Sequence, residues 1–137
     1  MKKNIVLLLL FIGFTVISCS DDFKIKKLDG KWKLKYIESA DGAIHPVDTV
    51  FYNFLNSLFT YQLYNSTNDS YYQWGGFKTE EDKSSFCLEF DPEGEDPSLF
   101  LHNTDWEKAS RVFTIEKHTV KTLILKSDGK RYTFQSF

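Results

Sequence analysis

The side chains able to do chemistry in this 137-residue sequence are few and scattered. His45, His102 and His118 each lack a second ligand three to five residues away. A zinc site needs three or four converging ligands, so no metal centre is expected. Asp91, Glu93, Glu95 and Asp96 crowd four carboxylates into six residues, which a hard cation could use. Their order is not that of a calcium loop, and a solvated acidic loop is the simpler reading. No serine sits in a Gly-x-Ser-x-Gly elbow. Carboxylate pairs without known geometry support no acid–base assignment. The sequence therefore reads as neither an enzyme nor a cofactor carrier. Its two cysteines give no disulfide framework, and Cys87 is expected to be a small buried apolar residue rather than a reactive thiol.

More unusual is Tyr71-Tyr72-Gln73-Trp74-Gly75-Gly76-Phe77. Aromatics fall on both faces of one extended segment, and two glycines follow. Glycine inside a strand marks a bulge or a close backbone approach. Tyr71, Tyr72 and Trp74 are candidate ligand-binding residues, lining a cavity or stacking on a ring from outside. The competing reading is core packing plus an irregular strand. Glu80-Glu81-Asp82-Lys83 reads as a hairpin tip.

The first residues divide as secretory signals do: basic Lys2 and Lys3, an apolar core over Ile5–Ile17, then the small Ser18. That core is 13 residues long, short of the about 20 needed to span a bilayer. Val16-Ile17-Ser18-Cys19 resembles the bacterial lipobox. There the cysteine thiol takes a diacylglycerol, and the peptidase cutting before it requires a small preceding residue. Residues 1–18 are thus expected to be a removed signal, with Cys19 lipidated and 19–27 a charged tether. Two or more acyl chains anchor stably where one is marginal. Ser20-Asp21-Asp22 resembles the export signal of Bacteroidetes surface lipoproteins. Asp48-Thr49-Val50 resembles a short O-glycosylation signal of the same group. The expected location is the cell envelope, at the outer membrane.

Without residues 1–18 the chain keeps 119 residues, enough for one domain and one core. Loss of Lys2 and Lys3 leaves 17 − 2 = 15 basic against 19 acidic residues, a net of −4. A general nucleic-acid binder would show a basic stripe instead.

From Leu28 onward the apolar period is two, as in half-buried strands. Trp32, Leu34 and Tyr36 alternate with lysines; Phe86, Leu88 and Phe90 alternate with Ser85, Cys87 and Glu89. Strands are expected near 30–38, 49–55, 58–65, 70–78, 84–90, 110–117, 120–127 and 130–136. Asp128-Gly129 suits a two-residue type I′ turn. Centring the last hairpin there pairs Leu125 with Tyr132 and Leu123 with Phe134 on one face. The stretch 91–109 is too long for a structureless loop in so small a domain. It should hold a short strand near Leu99–His102 or a helical turn around Trp106. Eight antiparallel strands over 28–137 predict an all-β, up-and-down barrel, which removes exposed edges; a β-sandwich is the alternative.

Leu28-Asp29-Gly30-Lys31-Trp32 resembles the Gly-x-Trp signature of lipocalins, and with the leader the chain resembles lipocalin-like lipoproteins of Bacteroidetes type. The resemblance implies that Gly30 and Trp32 close one end of the barrel. It also implies an arginine late in the last strand, stacked on that tryptophan; here that strand ends Gln135-Ser136-Phe137, and Arg131 lies at its start. The implied function is a membrane-anchored module holding a small apolar ligand. The alternatives are an envelope barrel with a filled interior that meets a protein partner, and surface carbohydrate contact through Tyr72 and Trp74. Cys19→Ala should release the protein from the membrane fraction while leaving its circular dichroism unchanged. Retention beside a wild-type control would contradict lipidation.

Overall fold

The computed structural model describes residues 27–91 and 96–137. The lipobox with Cys19, and Glu93 with Glu95 of the acidic run, lie outside the described residues. Among the described residues nine strands and one helix follow in order: β1 Gly30–Glu38, β2 Ile44–Pro46, β3 Val50–Leu55, β4 Leu58–Asn65, β5 Ser70–Glu80, β6 Ser85–Phe90, α1 Ser98–Asn103, β7 Ser110–His118, β8 Thr122–Ser127 and β9 Lys130–Ser136. Each strand from β3 to β9 pairs antiparallel with the next, and β9 returns to β1. That pairing closes the barrel and excludes the sandwich.

The strand not foreseen, β2, pairs with β1 from Tyr36 to Glu38, while β3 takes β1 from Gly30 to Lys33. Together they fill one barrel position, interrupted at 47–49. Its three residues are all exposed, so no alternation betrays it, and Pro46 reads as a strand breaker. The last hairpin has the expected register, with Leu125 opposite Tyr132 and Leu123 opposite Phe134. Asp128 and Gly129 have φ of 52° and 74°, the left-handed pair that a type I′ turn demands.

Inward residues of every strand but β2 meet in one core. Trp32 lies at the closed end, where its Nε1 donates to the Leu28 carbonyl at 2.9 Å and the His118 ring meets it edge-on at 5.8 Å. His118 thus contacts the ring that an arginine covers in lipocalins. Arg131 sits at the far end of β9, bonded to Glu116 and Glu38. At the other end α1 and Trp106 cover the mouth. The helical turn lies at Ser98–Asn103, where a strand was the alternative, and Trp106 follows it in irregular chain. Ser98 N–H donates to the Asp96 carboxylate and Phe100 points inward. This anchoring explains why the segment turns instead of extending.

Trp32 is only 4% exposed, and truncating a buried tryptophan leaves a void its neighbours fill only in part. Trp32→Ala should cost about 3–5 kcal/mol in urea melts. A loss under about 1 kcal/mol would remove its end-closing role.

Candidate functional site

The barrel interior is occupied by its own rings. Tyr52 stands near its middle, 4.8 Å from Phe134, 5.3 Å from Phe59 and from Tyr61, and 6.0 Å from Phe113. Its hydroxyl accepts a hydrogen bond from Trp106 Nε1 at 3.1 Å. Complete burial pushes the Tyr52 hydroxyl far above its ordinary pKa. It remains neutral at any physiological pH. Phe100 lies 4.2 Å from Phe90, 5.0 Å from Tyr61 and 5.3 Å from Trp106. An eight-stranded barrel is just wide enough for its side chains to fill, and here aromatics fill it.

Among the described residues one charged side chain enters this interior. Arg111 shares the inward face of β7 with Phe113 and is buried. Its Nε donates to Ser127 Oγ at 2.9 Å, Nη1 to Asp105 at 3.4 Å, and Nη2 to the Tyr132 hydroxyl. Tyr132 donates in turn to Asp105, and Ser127 Oγ to the Val112 carbonyl at 2.8 Å. The guanidinium also faces the Tyr132 and Phe113 rings at 4.8 and 5.1 Å. Burial opposes its charge, but Tyr132 and Asp105 outweigh burial and hold its pKa above the ordinary value. Burial, then the bond to Asp105, push Tyr132 up as well, which keeps it a donor. Each guanidinium nitrogen of Arg111 makes a hydrogen bond, so the cluster locks the mouth loop to β7–β9. The alternation Arg111, Phe113, Ile115 could have placed Arg111 inside.

A second feature is open. Between β5 and the mouth lies a cleft of about 540 Å³ whose lining includes Trp74, Gly75, Phe77, Phe90, Pro97 and Phe100. The β4–β5 register runs unbroken through Gly75-Gly76, so no bulge resets the phase. The two glycines do different things. A Cβ on Gly76 would fall 2.1 Å from the Glu89 carbonyl oxygen, a close backbone approach that only glycine permits. Gly75 leaves a notch in the outer face, where an added Cβ meets only the Phe59 carbonyl at 3.9 Å. β6 pairs with β5 only from Gly76 to Glu80. Beyond a bond from Asp91 N–H to the Gly75 carbonyl at 3.2 Å, the described residues Ser70–Trp74 pair with β4 alone. The cleft opens there.

Of the three candidate binding residues, only Trp74 lines the cleft. Tyr72 stacks on Trp74 at 6.1 Å and accepts from Asn65. Tyr71 turns to the outer wall, where Lys31 Nζ sits among Phe51, Tyr71 and Phe137 at 4.5, 5.1 and 4.9 Å. Phe90 and Phe100 line the cleft unforeseen. Thr49 is half-buried and its carbonyl accepts from Tyr64 N–H at 2.8 Å. Cys87 departs from expectation: it faces outward and is half-buried, because its β6 neighbours Phe86 and Leu88 take the inward phase. Burial is still enough to raise its thiol pKa.

The sequence profile of the lipocalin-like domain matches residues 12–137. The chain belongs to the lipocalin-like family. Two solved structures share the family's fold with this chain. A lipocalin-like protein from Bacteroides uniformis has a TM-score of 0.71 and 24% identity, covering 80% of this chain and 98% of its own. An uncharacterized protein from Bacteroides eggerthii has a TM-score of 0.71 and 23% identity, covering 81% and 100%. No protein with a curated description matches the chain.

Arg111→Met should leave Asp105 without its counter-charge and the Tyr132 hydroxyl without its donor. A fully buried pair so broken costs about 3–5 kcal/mol; Asp105 keeps some water, so about 2–3 kcal/mol is expected in urea melts. A neutral result would show that the lock contributes nothing.

Proposed function

We propose that this lipocalin-like chain is a lipid-anchored binding module of the cell envelope, whose ligand site is the cleft beside β5. The observation that carries this reading is the cleft where β6 leaves β5, bordered by Gly75 and lined by Trp74, Phe90 and Phe100. Ligand pockets span about 300–1,000 Å³ and are mostly apolar, and the cleft's 540 Å³ and aromatic floor match a small, largely apolar molecule. The interior supports no such occupant, since rings already fill it. Anchoring rests on Val16-Ile17-Ser18-Cys19 and on the tether after it. An envelope-protein partner is the second reading, favoured by the filled interior. Carbohydrate stacking on Trp74 has less support, because Tyr72, Tyr61 and Phe100 surround its ring.

Gly75→Val tests the site without disturbing the core. The new side chain enters the notch with no backbone clash, and valine suits a strand, so stability should change by less than about 1 kcal/mol. Binding of a hydrophobic fluorescent probe should fall at least about tenfold, equivalent to about 1.4 kcal/mol. Probe binding equal to wild type, or none by wild type, would contradict the cleft and leave the interaction barrel.

A further inference from the structure

We propose that the closed end of the barrel rests on the membrane, with Val120, Leu55 and Phe137 dipping into the lipid interface. This rests on the anchoring reading above and adds an orientation to it. Four pieces of chain are tied together at this end. Asn56 N–H, in the β3–β4 turn, donates to Asp29 at 2.8 Å. Phe137 N–H donates to the Lys31 carbonyl at 3.0 Å, and Ser136 N–H to the Lys121 carbonyl at 2.9 Å. The β7–β8 turn that holds Val120 thus joins the start of β1 through the end of β9.

This end carries the three most exposed large apolar side chains among the described residues: Val120 at 85%, Phe137 at 69% and Leu55 at 60%. Single exposed apolar residues are ordinary, but a group at one end marks an interaction surface. Lys27, Lys117 and Lys121 are exposed nearby. Lysines beside apolar side chains suit an anionic lipid surface, where the stem lies in the interface and the ammonium reaches the headgroups. The β5–β6 turn brings Glu81 and Asp82 to the same end, so the contact is confined to the sector of β1, β3 and β7–β9.

The occupant follows from where the remaining chain attaches. Lys27 enters the barrel here, eight residues after Cys19. Fully extended, those residues reach at most about 28 Å. Lipid on Cys19 would therefore hold this end, and not the mouth, against the bilayer, leaving α1 facing away from it.

The test uses the mature lipoprotein in phosphatidylethanolamine–phosphatidylglycerol vesicles, with Cys87→Ser as background. A fluorophore is placed on Val120→Cys or on Ser66→Cys, which is exposed in the β4–β5 turn at the opposite end. Nitroxide-bearing lipids should quench the Val120→Cys label several-fold more than the Ser66→Cys label. If the protein floats with the vesicles but both labels are quenched alike, or Ser66→Cys more, the orientation is wrong while the anchor stands. If it does not float and takes up no labelled palmitate, the anchor itself is wrong and the orientation falls with it.

Discussion

The hydrogen bond from Trp106 to Tyr52 joins the two parts of the molecule that sequence distance keeps apart, the mouth segment and the barrel wall. Tyr52 projects from β3 into the middle of the interior, and its hydroxyl would be costly to bury without a partner. Trp106 supplies that partner and brings its own ring beside Phe90 at 5.1 Å and Phe113 at 5.7 Å. This polar contact and the ring contacts of Trp106 and Phe100 together fold the mouth segment inward. Once it does, the space a small ligand would use is taken by Trp106 and Phe100.

The consequence for function is geometric. A barrel filled by aromatics can still bind, but on its wall or rim. The wall is weakened where β6 leaves β5 after Phe90 and where Gly75 carries no side chain. Gly76 lets β5 and β6 approach closely just below, so a rigid edge borders the notch. Arg111 holds the far side of the mouth through Asp105, Ser127 and Tyr132. The cleft therefore lies against fixed elements rather than a loose rim.

Much of the barrel was legible in the sequence because period-two alternation and turn chemistry point the same way. Ser127–Lys130 shows this best, since the Asp-Gly turn and the Leu125–Tyr132 pair demand a single register. β2 was hidden because its residues are all exposed and one is proline. Residues 91–109 announced an element without disclosing its kind, since Phe100 and Trp106 are placed by tertiary contacts and not by any local period. Cys87 was misjudged from residue type alone, although the phase of Phe86 and Leu88 put it outside. Whether the interior is open or full depends on summed side-chain volume, which no pattern of alternation records. For the site, the glycine pair and Trp74 were visible in advance, while Phe90 and Phe100 emerged only once the mouth had closed.

The filled interior is the claim on which the rest turns, and xenon tests it directly, because the gas enters dry apolar cavities that exclude water. In a crystal of the protein pressurised with xenon, no xenon should appear among Trp32, Tyr52, Phe54, Phe113 and Phe134. Any apolar occupancy should lie in the cleft against Trp74 and Phe100. Xenon bound inside the ring cluster would contradict the account and restore the barrel interior as the ligand site.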